Sequence, residues 1–103
     1  MKLLEVVKEL KAGWGFNRAY LTEKMGQLLE ELVKKANLPD QEVEASYHSF
    51  NTGWGHERRN EHFWVIKNFP EITLNYDEYR PLWGRYDFSY DPESKVVSFG
   101  YSI

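Results

Sequence analysis

The chain of 103 residues contains no cysteine. That absence removes disulfides, zinc–thiolate centres and thiol catalysis together. A secreted domain of this size commonly needs staples, so a reducing cytoplasm is the expected compartment. Long apolar runs are missing too. No stretch approaches the roughly 18 apolar residues of a membrane span. The segment Met1-Lys2-Leu3-Leu4-Glu5-Val6-Val7-Lys8-Glu9 carries charge every few residues and does not read as a signal peptide. A cationic surplus is also absent. The net charge is −3, which argues against nucleic acid as a partner, because phosphate neutralisation needs a cationic face. No glycine-rich phosphate cradle follows a strand, and no Gly-x-Ser-x-Gly occurs. No cofactor is expected.

Aromatic side chains, by contrast, are abundant. They make up 17% of the chain, as 4 Trp, 7 Tyr and 6 Phe. Aromatics favour strands and dominate both cores and interfaces. Their number exceeds what a core of this size needs, so some are expected on the surface. The charge is unevenly placed. Residues 1–38 hold seven Lys/Arg and five Asp/Glu, whereas residues 39–103 hold six against eleven. The second half is the acidic half, which suits a basic protein partner.

The hydrophobic period changes in the same place. Leu3, Val6, Val7 and Leu10 follow helical spacing over 2–11, with Gly13 as the stop. Leu21, Met25, Leu28, Leu29, Leu32, Val33 and Ala36 form a second helical stripe, with Asn17 or Thr22 as candidate starts and Asn37-Leu38-Pro39-Asp40 as its end. Gly26 inside this helix costs about 1 kcal/mol against alanine, which suggests a close approach to a neighbouring element. After Asp40 the period becomes two. Strands are expected over 43–48, 62–69, 72–76, 85–90 and 95–101. The run Phe63-Trp64-Val65-Ile66 suggests a central strand covered on both faces, residues 77–83 a loop or single turn, and Asp91-Pro92-Glu93-Ser94 the turn of a closing hairpin. The expected fold is one α+β domain over 1–103. Two N-terminal helices (1–38) pack on one antiparallel sheet of about four to five strands (41–103).

Three groups of residues are candidates for function. Gly13-Trp14-Gly15 and Gly53-Trp54-Gly55 each let the chain turn while an indole points one way, as an aromatic anchor would. Trp54, Trp83 and Tyr86, with the acids Glu42, Glu44, Asp77, Glu78 and Asp87, are the candidate partner-binding residues. The string His56-Glu57-Arg58-Arg59-Asn60-Glu61-His62 offers a second chemistry, a metal-independent nuclease in which His56 or His62 moves the proton and Arg58 or Arg59 holds phosphate. No metal site is expected, because the two histidines are six positions apart rather than the four of His-Glu-x-x-His.

The ending Trp83-Gly84-Arg85-Tyr86-Asp87-Phe88-Ser89-Tyr90 with Val96-Val97-Ser98-Phe99-Gly100-Tyr101 resembles the closing hairpin of the YezG-type small bacterial toxin-immunity proteins, over about the last quarter of the chain. The resemblance implies an intracellular inhibitor that covers a toxin, and it carries over no site residue. The leading expectation is thus an immunity-type, protein-binding inhibitor that captures a basic partner through an acidic, aromatic-rich sheet surface. A phage-encoded inhibitor of a host enzyme has the same composition. As to assembly, a monomer or a homodimer is expected, the latter through the edge of the terminal hairpin.

Overall fold

The stripe 3, 6, 7, 10 forms helix α1 (Leu3–Lys11), and all four side chains are buried in the computed structural model, which describes residues 1–15 and 19–103, the side chain of residue 19 excepted. The start of α1 is held from a distance. The Leu4 amide donates to the Asp40 carboxylate at 2.9 Å, and the Lys2 amide donates to Glu5 at 3.2 Å, so two of the first amides find acceptors. Helix α2 (Ala19–Ala36) buries its stripe of Leu21, Met25, Leu28, Leu29 and Leu32 against α1 and the sheet. Thr22, a candidate start, lies inside this helix and is buried, whereas Asn17 falls outside the described residues. Asn37 ends α2 in the left-handed region at φ 51, with the Leu38 amide returning to the Val33 carbonyl at 3.0 Å. Gly26 is where the two helices touch: a Cβ there would sit 2.9 Å from Lys11 Cγ and 3.0 Å from its backbone nitrogen.

Four antiparallel strands follow, β1 (Glu44–Thr52), β2 (Arg59–Lys67), β3 (Asp87–Asp91) and β4 (Val96–Ser102), in the spatial order β1-β2-β4-β3. The last strand is therefore inserted between β2 and β3. His62, Trp64 and Ile66 on β2 and Val97, Phe99 and Tyr101 on β4 are buried on the helix side. Between β2 and β3 lie one helical turn, α3 (Tyr76–Tyr79), and a 3-10 turn (Arg80–Trp83) that brings Trp83 into the core.

The expected architecture, two helices on an antiparallel sheet, is thus the one observed, with three local corrections. The proposed strand over 72–76 does not form. Ile72 is buried as coil, and its amide donates to the Tyr90 hydroxyl at 3.3 Å instead of to a neighbouring strand. The hairpin of β1 and β2 is longer than its alternation suggests, because Asn51 and Thr52 pair with Asn60 and Arg59 rather than forming a turn. Finally, β2 is central but not covered on both faces. Phe63 and Val65 are only half-buried, on a face over which no described helix packs. The long helices need just one face of a four-stranded sheet, and the other stays open.

Candidate functional site

The β1–β2 hairpin runs past the rest of the sheet. β4 pairs with β2 as far as Glu61, and Asn60 exchanges both backbone hydrogen bonds with Ile103 (2.7 and 2.9 Å), after which the hairpin continues alone. Its tip turns at Gly53, whose φ of +83 and Cβ direction, 2.4 Å from the Glu57 carbonyl oxygen, admit no side chain. Gly55–Glu57 adds a 3-10 turn. Between the two glycines stands Trp54, 90% exposed.

Other elements end near the start of β2. The first turn of α2, the start of β2, the lead into β3 and the end of β4 enclose an open cleft of about 420 Å³, lined by Tyr20, Arg59, Arg85, Tyr86, Asp87 and Tyr101 among others. Arg85 lies over the Tyr86 ring, its Cζ 5.4 Å from the centroid, which holds the guanidinium in place. Among the described residues neither Arg58, Arg59 nor Arg85 forms an ion pair. Tyr20, at 67% exposure, completes a surface of aromatic rings and arginines. Those are the side chains that carry binding energy when a protein partner desolvates them.

The residues singled out in the sequence divide by position. Trp54, Tyr86 and Asp87 are at this end. Glu44 is at the opposite end of β1, eight residues or about 26 Å of strand from Thr52. Glu42 binds the N-terminal amine of Met1, which lowers its carboxyl below the ordinary range. Asp77 and Glu78 are exposed on α3. Trp83 has no exposed surface and offers nothing to a partner. Tyr20 and Arg85 were not distinguished in the sequence. An aromatic ring lying off the α2 stripe was the available signal for Tyr20; only the strand order brings Arg85 beside Arg59.

The histidine string is not gathered around one group. His56 is exposed at the tip, whereas His62 is buried facing the helices, and about 10 Å of strand already separates Arg59 from His62. His48 lies on the outer face, with Nε2 2.9 Å from the Ser46 hydroxyl. Among the described residues no group of three His, Asp or Glu could hold a metal ion, and no helix is long and apolar enough to cross a membrane.

His62 is a structural group with a consequence. Its Nδ1 is 2.7 Å from the Tyr47 hydroxyl, and its Nε2 has no partner among the described residues. Burial pushes the imidazole below its ordinary value of 6.5, and the Glu61 carboxylate offsets only part of this. The ring is therefore neutral in the fold and gains its proton more readily once unfolded. Its contribution to stability is full above the unfolded value and is lost as pH falls through that value toward the folded one. Urea midpoints should drop as pH falls through 6.5 toward the carboxylate range, and His62→Gln should flatten that slope. The carboxylates held low, Glu30, Glu42 and Asp91, lose their contribution only below the ordinary values of 4.5, 4.5 and 3.8, outside this window. Equal slopes in the two proteins would remove His62 as the cause.

No family model, curated protein or solved structure matches the chain.

Proposed function

We propose that this chain is a protein-binding inhibitor of the immunity type, and that it grips its partner with the end of the sheet around Trp54. One observation carries the reading. A tryptophan that is 90% exposed is held out on a tight turn, at the same end of the sheet as the cleft that holds Tyr20, Tyr86, Arg59 and Arg85, the two arginines without a described ion pair. Leaving a large indole in water has no folding benefit, and burying it against a partner does. The grip lies away from the acids Glu42 and Glu44, since Glu42 is held by the N-terminal amine and Glu44 is far along β1. Acidity keeps a different role. A net charge of −3 favours encounter with a basic protein, while the rings supply the hold and the guanidinium groups pair with carboxylate or carbonyl oxygens at the contact.

The test is affinity capture from the cells that make the protein, with wild type and Trp54→Ala side by side. A specific basic partner should be retained by the first and released by the second. Affinity should fall about 30-fold or more, the hot-spot range of 2 kcal/mol or above. Thermal stability should stay within about 0.5 kcal/mol, because the indole packs on little. A captured protein that ignores the substitution overturns the assignment of this surface. Loss of the partner's activity in the complex would establish inhibition.

A further inference from the structure

The two edges of the sheet are protected unequally. β3 is five residues long and begins and ends with an aspartate, Asp87 and Asp91. Short length and charge are how edge strands avoid pairing with other chains. β1, the other edge, is nine residues long, in unbroken register with β2 and without proline. After Glu44 it contains no acidic or basic side chain apart from His48. At its start the edge is covered, since the Val43 amide donates to the Met1 carbonyl at 2.8 Å and Lys2 bridges Glu42. Beyond that point no described strand pairs with this edge.

The hydrogen-bond directions along β1 follow from the ladder. Asn60 turns both its backbone groups to Ile103, so Glu61 and Phe63 turn theirs to β1. Phe50 pairs with Glu61, so the even residues of β1 face β2 and the odd ones face outward. Among the described residues the amides of Ser49 and Asn51 have no backbone partner. Between them Phe50 is on the outer face, 50% exposed, touching the edge of the Phe63 ring at 5.7 Å between centroids.

We propose that this edge pairs antiparallel with the same edge of a second copy of the chain, with Phe50 on the twofold axis. Ser49 of each copy then comes opposite Asn51 of the other, and these two outward residues exchange their free N–H and C=O groups. Phe50 meets Phe50 in the close, non-hydrogen-bonded pair, where aromatic cross-strand contacts are favourable. His48 meets Thr52. No like charges face each other anywhere in this register, which is what a self-pairing strand requires. The assembly is a continuous eight-stranded sheet, and it does not depend on the function proposed above.

Sedimentation of the full chain over roughly a hundredfold range of concentration should show monomer passing to dimer. Ser49→Pro should remain monomeric while folding normally, because this amide takes no part in the ladder with β2. Phe50→Lys should also remain monomeric, since it sets two cations face to face, and it keeps the test decisive if the proline variant fails to fold. The absence of native cysteine allows a direct readout of register. Phe50→Cys should form an intermolecular disulfide under mild oxidation, its Cα atoms about 4.5 Å apart in such a pair, whereas Ser89→Cys on the outer face of β3 should not. A wild type monomeric at every concentration overturns the proposal. So does a dimer that survives Phe50→Lys, or equal cross-linking of the two cysteine variants.

Discussion

Replacing Gly100 by alanine is expected to remove a large part of the folding free energy. Gly100 lies in β4 between Phe63 of β2 and Asp87 of β3, in the middle of the sheet. A Cβ at this position would lie 2.0 Å from the His62 carbonyl oxygen, 2.6 Å from Phe63 Cα and 2.7 Å from Phe63 Cβ. Two of those atoms are backbone, so no rotamer change relieves the overlap. β2 and β4 would have to separate where they share the Trp64–Phe99 contact, at 6.0 Å between ring centroids. Overpacking typically costs 1–3 kcal/mol and sometimes more. With rigid backbone on the other side, about 3 kcal/mol or above is the expected loss. Out of a total of roughly 5–15 kcal/mol, that is a fall in melting temperature of about 10–20 °C. Thermal unfolding followed by circular dichroism measures it. A shift of only a few degrees would mean that the strands separate easily, and the account of this contact would be wrong.

This requirement is invisible in the sequence, and the reason is general to the fold. The alternation Val97, Phe99, Tyr101 correctly locates β4 and its buried face, but it treats Gly100 as one more outward position. How near β2 comes depends on the strand order, and that depends on β4 passing between β2 and β3. Local patterns were reliable where one element decides its own burial. The α1 and α2 stripes, the close approach at Gly26 and the closing hairpin are of this kind. They failed where a distant element decides. Phe63 and Val65 look like core residues in sequence, yet no described element covers their side of β2. Ile72 and Leu74 alternate like a strand, but the adjacent edge is already occupied by β3 packing through Tyr90 to the Ile72 amide. The candidate site shows the same division. Trp54 between two glycines is legible as a projecting anchor, whereas the cleft that gathers Tyr20 from α2, Arg59 from β2 and Arg85 from the lead into β3 exists only once the sheet is assembled.

Trp83→Ala should have the opposite profile from Trp54→Ala, severe for folding and silent for recognition. Trp54 lies between two glycines and Trp83 precedes one, and the structure treats the two indoles differently. Trp83 is held by the 3-10 turn Arg80–Trp83, whose Pro81 fixes the backbone entering it. Its ring stacks on Phe88 at 4.7 Å and contacts Phe99 at 5.1 Å, with no exposed surface. Deleting it opens a cavity between the turn, β3 and β4, for which about 3–5 kcal/mol is the usual cost. One detail separates volume from polarity. The Trp83 Nε1 has no hydrogen-bond partner among the described residues, and a buried donor left unsatisfied carries a penalty. Trp83→Phe removes that donor while keeping most of the ring packing. It should therefore recover the greater part of the loss, leaving a deficit of about 1–2 kcal/mol. Urea denaturation of the three proteins would show it, and a phenylalanine variant as unstable as the alanine one would mean that the nitrogen has a partner after all. Because Trp83 touches no surface, both variants should capture the partner with wild-type affinity at temperatures where they remain folded. A drop in affinity at full folding would bring the 3-10 turn into the binding surface.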